Sequence, residues 1–227
     1  MMNNGLGTFL KRLFDAAAAT VGLVLLSLPM AAVACLVKLT SRGPVFFRQE
    51  RMGLGFRPFF IYKFRTMVSD APNRGRQITA GDDPRITRIG RLLRKTKFDE
   101  VPQLLNVLRG DMRLVGPRPE VRRYVEQFRE DYAEILKVRP GVTDLASLTY
   151  RDEASILGLA EDPDREYTTR ILPAKIRLAR EYVARRSMWL DVCLIGKTVL
   201  VLTGVASSPA ALPSQESPSP MEPHGEP

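Results

Sequence analysis

The segment from Ala16 to Val37 constrains this chain more than any other, because 22 consecutive residues carry no charge. As a straight helix it would run about 33 Å, enough to cross a hydrocarbon core of about 30 Å. Pro29 interrupts the run and removes a backbone donor. Both flanks are basic, with Lys11 and Arg12 before and Lys38 and Arg42 after. The positive-inside tendency then assigns both ends to the cytoplasmic side. A helix broken at Leu28-Pro29 that enters the bilayer and returns meets both conditions. The Ser27 hydroxyl can then cover a carbonyl freed by the proline. A plain transmembrane helix stays open on this segment alone, since such helices tolerate proline. So do a buried soluble helix and a signal, for which Ala32-Val-Ala-Cys35 offers a faint lipobox pattern.

The body of the chain is basic. The formal charge is +9, and Ser207 to Pro227 contributes three Glu and no Lys or Arg. An acidic partner is expected: nucleic acid, anionic lipid or a phosphorylated small molecule. Generic solubility charge is the plain alternative. Cys35 and Cys193 lie in apolar runs with neither zinc nor disulfide spacing, which fits a reducing compartment. The only histidine, His224, sits in the Pro/Ser-rich tail. A mechanism is therefore expected to rest on Asp, Glu, Lys and Arg, and not on a histidine base or zinc.

Local patterns divide the remainder. Val45–Gln49 and Phe59–Arg65, rich in β-branched and aromatic residues around Gly53-Leu-Gly55, predict a β-hairpin. Asp70 to Asp83 reads as a polar loop. Between Pro84 and Phe98 the period changes, with Ile86, Ile89, Leu92 and Leu93 at helical spacing beside Arg88, Arg91, Arg94 and Lys95. Such a helix can lie in a membrane interface or cover a protein core. Helices are also predicted over 121–137 and 166–186, the second with a kink at Pro173. Trp189 to Val205 is apolar but interrupted by Asp191 and Lys197, so it reads as amphipathic. Six prolines in 207–227 predict disorder.

Asp99-Glu100 is the pair that points to chemistry. Asp99 is a plausible N-cap for the helix marked by Val101, Leu104, Leu105 and Leu108, with Pro102 acceptable in the first turn and Gly110 closing it. An acid there shares its surroundings with phosphate oxygens and Mg²⁺–phosphate complexes. It can be a nucleophile toward phosphorus when cations neutralise the diphosphate. Arg94, Lys95 and Lys97 precede it. Arg118 follows in Gly116-Pro-Arg-Pro119, whose prolines limit the backbone that aims its fork. Taken singly, Asp99 is also an ordinary N-cap and Arg118 an ordinary ion-pair arginine.

Together the motifs resemble the bacterial sugar transferases, monotopic polyprenyl-phosphate phosphoglycosyl transferases. They are Lys11-Arg-Leu-Phe-Asp15, the proline-broken apolar run, Gly43-Pro-Val-Phe-Phe47, Gln49-Glu-Arg-Met-Gly53, Tyr62-Lys-Phe-Arg-Thr-Met67, Asp83-Pro-Arg-Ile-Thr-Arg-Ile-Gly-Arg91, Phe98 to Met112, Val115-Gly-Pro-Arg-Pro119 and Arg139-Pro-Gly-Val-Thr143. They run in family order from about residue 8 to 205. The resemblance implies an α+β, mainly helical fold: a re-entrant anchor over 1–42 broken at Ser27 and Pro29, amphipathic interfacial helices, and a small β-hairpin/α catalytic part over 43–206, before the tail at 207–227. It implies ping-pong transfer of a phosphosugar from a UDP-sugar to undecaprenyl phosphate, with Mg²⁺, on the cytoplasmic face of the bacterial inner membrane. Asp99 matches the nucleophile and a Mg²⁺ ligand, Glu100 its dyad partner, and Arg94 and Arg118 the phosphate-binding arginines. Lys63 and Arg139 are conjectural helpers. Membrane lipid and downstream glycosyltransferases are implied partners, and nucleic acid is not. The chain resembles the short catalytic form.

Two features depart from the family pattern. Thr143-Asp-Leu-Ala-Ser-Leu-Thr-Tyr-Arg151 replaces the usual Thr-Gly-Trp-Ala-Gln-Val-Asn-Gly-Arg. The break reads Ser27-Leu-Pro29 rather than Ser-Pro. The competing reading is a membrane-tethered basic module that binds anionic lipid or nucleic acid through Arg85–Lys97 and survives Asp99→Asn.

Overall fold

The charge-free segment does not form one straight helix. In this computed structural model, which describes residues 5–71, 78–81 and 83–206, it is split between α1 (Gly5–Leu25) and α2 (Ser27–Thr40). The two are bent by 61° at Leu26. Pro29 sits in the first turn of α2, where it lacks the donor that would reach back to α1. The Ser27 hydroxyl donates to the Val24 carbonyl at 2.7 Å, covering an acceptor at the break. Among the described residues no single helix is long and apolar enough to cross a membrane, while this bent pair qualifies by length and composition.

β1 (Phe46–Met52) and β2 (Pro58–Phe64) form the expected antiparallel hairpin, with Phe47 opposite Lys63. The α1–α2 pair packs on it. Ala19 of α1 is buried with Ile61, Val107 and Met112, and Val37 of α2 with Phe64 and Leu93. α3 (Arg88–Thr96) follows, capped by the Thr87 hydroxyl, which accepts from Gly90 N at 2.9 Å. A 3-10 turn over Phe98–Gln103 leads into α4 (Leu104–Arg109), which Gly110 ends at φ 89°. β3 (Arg113–Val115) pairs in parallel with β4 (Gly141–Thr143), a second small sheet that strands of three residues do not announce in sequence.

The rest is helical. The helix expected over 121–137 is two, α5 (Arg122–Gln127) and α6 (Arg129–Ile135), parted at Phe128 (φ −118°, ψ 41°). Beyond the short helices α7 (Leu145–Thr149), α8 (Glu153–Gly158) and α9 (Pro163–Glu166) comes a π-turn over Tyr167–Ile171. It runs on into α10 (Leu172–Arg185) with helical dihedrals at the junction (Ile171 φ −73°, ψ −51°), so the helix expected over 166–186 is continuous and its irregularity near Pro173 is a π-bulge. Tyr124, Tyr132, Leu157, Tyr167 and Leu172 form the largest buried cluster. α11 (Met188–Leu202) buries Leu194 and Val201 and leaves Trp189, Val192 and Val199 exposed. The chain is thus mainly helical with small sheets, and the tail expected to be disordered lies outside the described residues.

Candidate active site

The site begins with a backbone turn. Lys97 ends α3 in the left-handed region at φ 57°, its N–H donating to the Arg94 and Leu93 carbonyls. The reversal presents Asp99 and Glu100 in the first turn of the 3-10 segment. Asp99 is therefore not an N-cap as the sequence suggested: Lys97 holds that position and no side chain caps the turn.

The two acids have opposite surroundings. Glu100 is clamped by two cations. Arg118 grips it with both Nη atoms, Nη1 lying 3.0 Å from Oε2, and Lys63 Nζ donates to Oε1 at 2.8 Å. Burial alone would push the Glu100 carboxyl up, but Arg118 and Lys63 outweigh it and hold the group well below the usual carboxylate range. Asp99 is 6% exposed, and its buried Oδ1 accepts no hydrogen bond among the described residues. Burial pushes its carboxyl up, against the attraction of Lys63, Arg94 and Lys97. One acid is locked as an anion, and the other is desolvated with a buried oxygen that has no partner among the described residues.

Three elements deliver the cations. Lys63 comes from β2, and burial pushes its ammonium down. Arg94 lies on α3, its Nε donating to the Thr66 hydroxyl at 2.9 Å. Arg118 stands on the turn after β3, its backbone N–H donating to Asp144 Oδ2 at 3.0 Å. Asp144 is 2% exposed, and its other oxygen caps α7 by accepting from Ser147 N at 2.7 Å. That turn interlocks with the next: Gly141 N donates to the Pro117 carbonyl, and Gly116 N to the Thr143 carbonyl. A Cβ on Gly141 would fall 2.1 Å from Gly116 N, so the close approach requires glycine.

Arg139 is not brought to this cluster. Its Nε donates to the Gly110 carbonyl at 2.9 Å, beyond the end of α4, where its charged neighbours are Arg113, Arg12 and Asp111. Sequence reasoning also passed over Thr66, Asp144 and Asn106. Asn106 is fully buried and mimics a strand edge: its Oδ1 accepts from Tyr62 N at 3.1 Å and its Nδ2 donates to the Phe60 carbonyl at 2.7 Å. The signal was an amide inside the apolar run Leu104-Leu-Asn-Val-Leu108.

No cluster of three or more His, Cys, Asp or Glu side chains among the described residues is arranged to hold a metal by itself. Mg²⁺ with a phosphorylated substrate needs less, one or two carboxylates plus phosphate oxygens and water. The unpartnered oxygen of Asp99 fits that requirement.

The site thus joins a buried acid whose Oδ1 lacks a partner among the described residues, with Lys63, Arg94 and Lys97 acting on it, to a neighbouring acid held by Lys63 and Arg118, a cation-rich setting that suits an anionic ligand. The family model described as bacterial sugar transferase matches residues 6–204. The chain belongs to the bacterial sugar transferase family. It is 43% identical to the UDP-N-acetylgalactosamine-undecaprenyl-phosphate N-acetylgalactosaminephosphotransferase of Aeromonas hydrophila, over 86% of this chain and 44% of that protein. It is 36% identical to the UDP-glucose:undecaprenyl-phosphate glucose-1-phosphate transferase of Escherichia coli K12, over 86% of this chain and 40% of that protein. It is 39% identical to the uncharacterized sugar transferase EpsL of Bacillus subtilis, over 86% of this chain and 90% of that protein. The chain thus spans less than half the length of the first two relatives and nine-tenths of the third.

Proposed function

We propose that this chain transfers a phosphosugar from a UDP-sugar to undecaprenyl phosphate, releasing UMP and initiating a lipid-linked glycan. The observation that carries the reading is Asp99, desolvated and with an unpartnered oxygen beside the Lys63–Glu100–Arg118 cluster. The substrate classes come from the names of the relatives.

In the first step Lys63, Arg94 and Arg118 receive the diphosphate. Asp99 attacks the β-phosphorus, and the bond to the bridging oxygen breaks. That oxygen leaves with UMP, and the sugar phosphate stays on the Asp99 carboxylate. In the second step an oxygen of undecaprenyl phosphate attacks the same phosphorus. The aspartyl P–O bond breaks, returning Asp99 and giving the polyprenyl diphosphate sugar. Burial strips water from Asp99, which sharpens a carboxylate nucleophile. The fixed cations need no reorganisation as charge shifts. Mg²⁺, held by Asp99 and phosphate oxygens, would neutralise charge on the diphosphate.

The bent α1–α2 pair supports an anchor over 1–42 that re-enters the membrane and returns to the cytoplasmic face, with 43–206 as the catalytic part and 207–227 as an extension. Exposed Leu92, Trp189 and Val199 fit helices lying in the interface. The basic-module alternative loses its footing here, because Arg85 pairs with Asp83 and Arg94 turns inward to Thr66. The test is UMP release from UDP-sugars by the membrane-bound chain, with wild type beside Asp99→Asn. Release from at least one donor that the variant abolishes is expected. Equal release by the variant would overturn the assignment of Asp99.

A further inference from the structure

A tether needs only an apolar run, yet the first turns of α1 carry three charged residues that each grip a different part of the catalytic body. Lys11 Nζ pairs with Asp191 of α11 and lies 3.3 Å from the Tyr182 hydroxyl. That hydroxyl in turn lies 2.7 Å from Asp191 Oδ1 and 3.2 Å from the Val115 carbonyl of β3. Arg12 donates through both Nη atoms to the carbonyls at the end of α4, Val107 and Leu108. Asp15 Oδ2 accepts from Arg113 Nη1 of β3 at 3.0 Å, and the side chains of this pair are only 3% and 10% exposed.

These contacts touch both halves of the site. α4 directly continues the turn that presents Asp99 and Glu100. β3 runs directly into the turn that carries Arg118. The far end of the anchor is held as well, since Arg65 Nη2 donates to the Ser41 carbonyl and hydroxyl at 2.7 Å. Arg65 lies between Lys63 and Thr66, the residue that holds Arg94. A buried ion pair contributes little net stability compared with an apolar contact of the same size, and its best-attested use is to fix register.

We propose that Arg12 and Asp15, with Lys11, are positioning residues: through the α4 carbonyls, Arg113 and Asp191 they set the register between the Asp99–Glu100 turn and the Arg118 turn. The anchor is then part of the scaffold of the site, and the flanking charges that sequence offers as topology signals serve the protein interior. The inference rests on the phosphosugar-transfer reading for its activity readout.

The test uses the half-reaction that needs no lipid substrate. The full chain in nanodiscs is given labelled UMP with UDP-N-acetylgalactosamine or UDP-glucose, and label entering the UDP-sugar is followed. Asp15→Asn is expected to lower this exchange roughly 10- to 100-fold, the range for small misplacements of reacting groups. Retention of the chain in carbonate-washed membranes should not change, and Asp15→Glu should recover most of the exchange. Arg12→Gln, which leaves no buried unpaired charge, serves if Asp15→Asn does not fold. Exchange within about twofold of wild type, or a loss that tracks release from the membrane, would overturn the proposal. Spin labels replacing the exposed Lys95 and Arg123, with Cys35 and Cys193 removed, read the register without activity. If wild type exchanges with neither donor, a distance distribution broadened by Asp15→Asn still supports positioning. An unchanged distribution refutes it.

Discussion

Replacing Asp99 with asparagine is expected to raise the thermal unfolding midpoint at neutral pH while removing transfer. The carboxylate is 6% exposed, and its Oδ1 has no partner among the described residues. A buried polar group left unsatisfied costs about 1–3 kcal/mol and more when charged, so an asparagine, which keeps the unpartnered oxygen, relieves only the excess due to charge. Attraction to Lys63, Arg94 and Lys97 offsets part of that, so a gain of about 1–2 kcal/mol is taken for a neutral side chain of equal size. At 2–4 °C per kcal/mol for a chain of this length, the midpoint should rise by about 2–8 °C. The pH dependence fixes the sign. Burial holds the Asp99 carboxyl above its unfolded value, so the penalty is full above the folded pKa. It fades as pH falls toward the unfolded value of about 3.9. The assay is thermal unfolding of wild type and Asp99→Asn in the same detergent, at neutral pH and near pH 4. A variant no more stable than wild type at neutral pH, or a gain that persists unchanged in acid, would refute the reasoning.

Glu100→Gln should act in the opposite direction, because it strands Lys63 and Arg118, whose side chains are 18% and 29% exposed. A loss of about 3 kcal/mol is expected by chemical denaturation at neutral pH. The Glu100 contribution is full above about pH 4.3 and disappears as pH falls through its lower folded value, so the two proteins should converge in acid. Gly90→Ala would put a Cβ 2.0 Å from the Thr66 carbonyl oxygen. It should cost about 1–3 kcal/mol and lower UMP release, since Thr66 also holds Arg94. Mg²⁺ should raise the midpoint of wild type more than that of Asp99→Asn, and an equal rise in both would remove Asp99 from the metal's ligands. Reporters at either terminus should both read cytoplasmic, and an outside reading at the N-terminus would end the re-entrant model.

The local elements were legible where a short-range pattern carries them. The hairpin followed from aromatic and β-branched runs around Gly53 and Gly55, and α3 from apolar residues at helical spacing. The break near Pro29 followed from a missing donor. The contacts that make the site were not legible, because they join distant positions. Glu100 meets Lys63 from 37 residues away and Arg118 from 18. Asp99 looked like an N-cap because an acid before an apolar period usually is one, and no sequence signal marked the left-handed turn at Lys97. Arg139 was a conjectural phosphate-binding helper, implied only by the resemblance carried by Arg139-Pro-Gly-Val-Thr143. That Pro-Gly turn instead braces the backbone of Gly116 and Pro117, and its arginine serves the Gly110 carbonyl. Lys11 and Arg12 read as topology-setting flanks because sequence shows their place beside an apolar run and not the carbonyls and carboxylate they meet.

The central claim is that Asp99 carries the phosphosugar. The most direct measurement is the intact mass of the chain after incubation with Mg²⁺ and each of a panel of UDP-sugars, without undecaprenyl phosphate. A mass increase equal to one sugar phosphate, matched by UMP and absent in Asp99→Asn, is the result expected. An unchanged mass, with UMP appearing only when the lipid phosphate is added, would show direct transfer between the substrates and contradict an aspartyl intermediate.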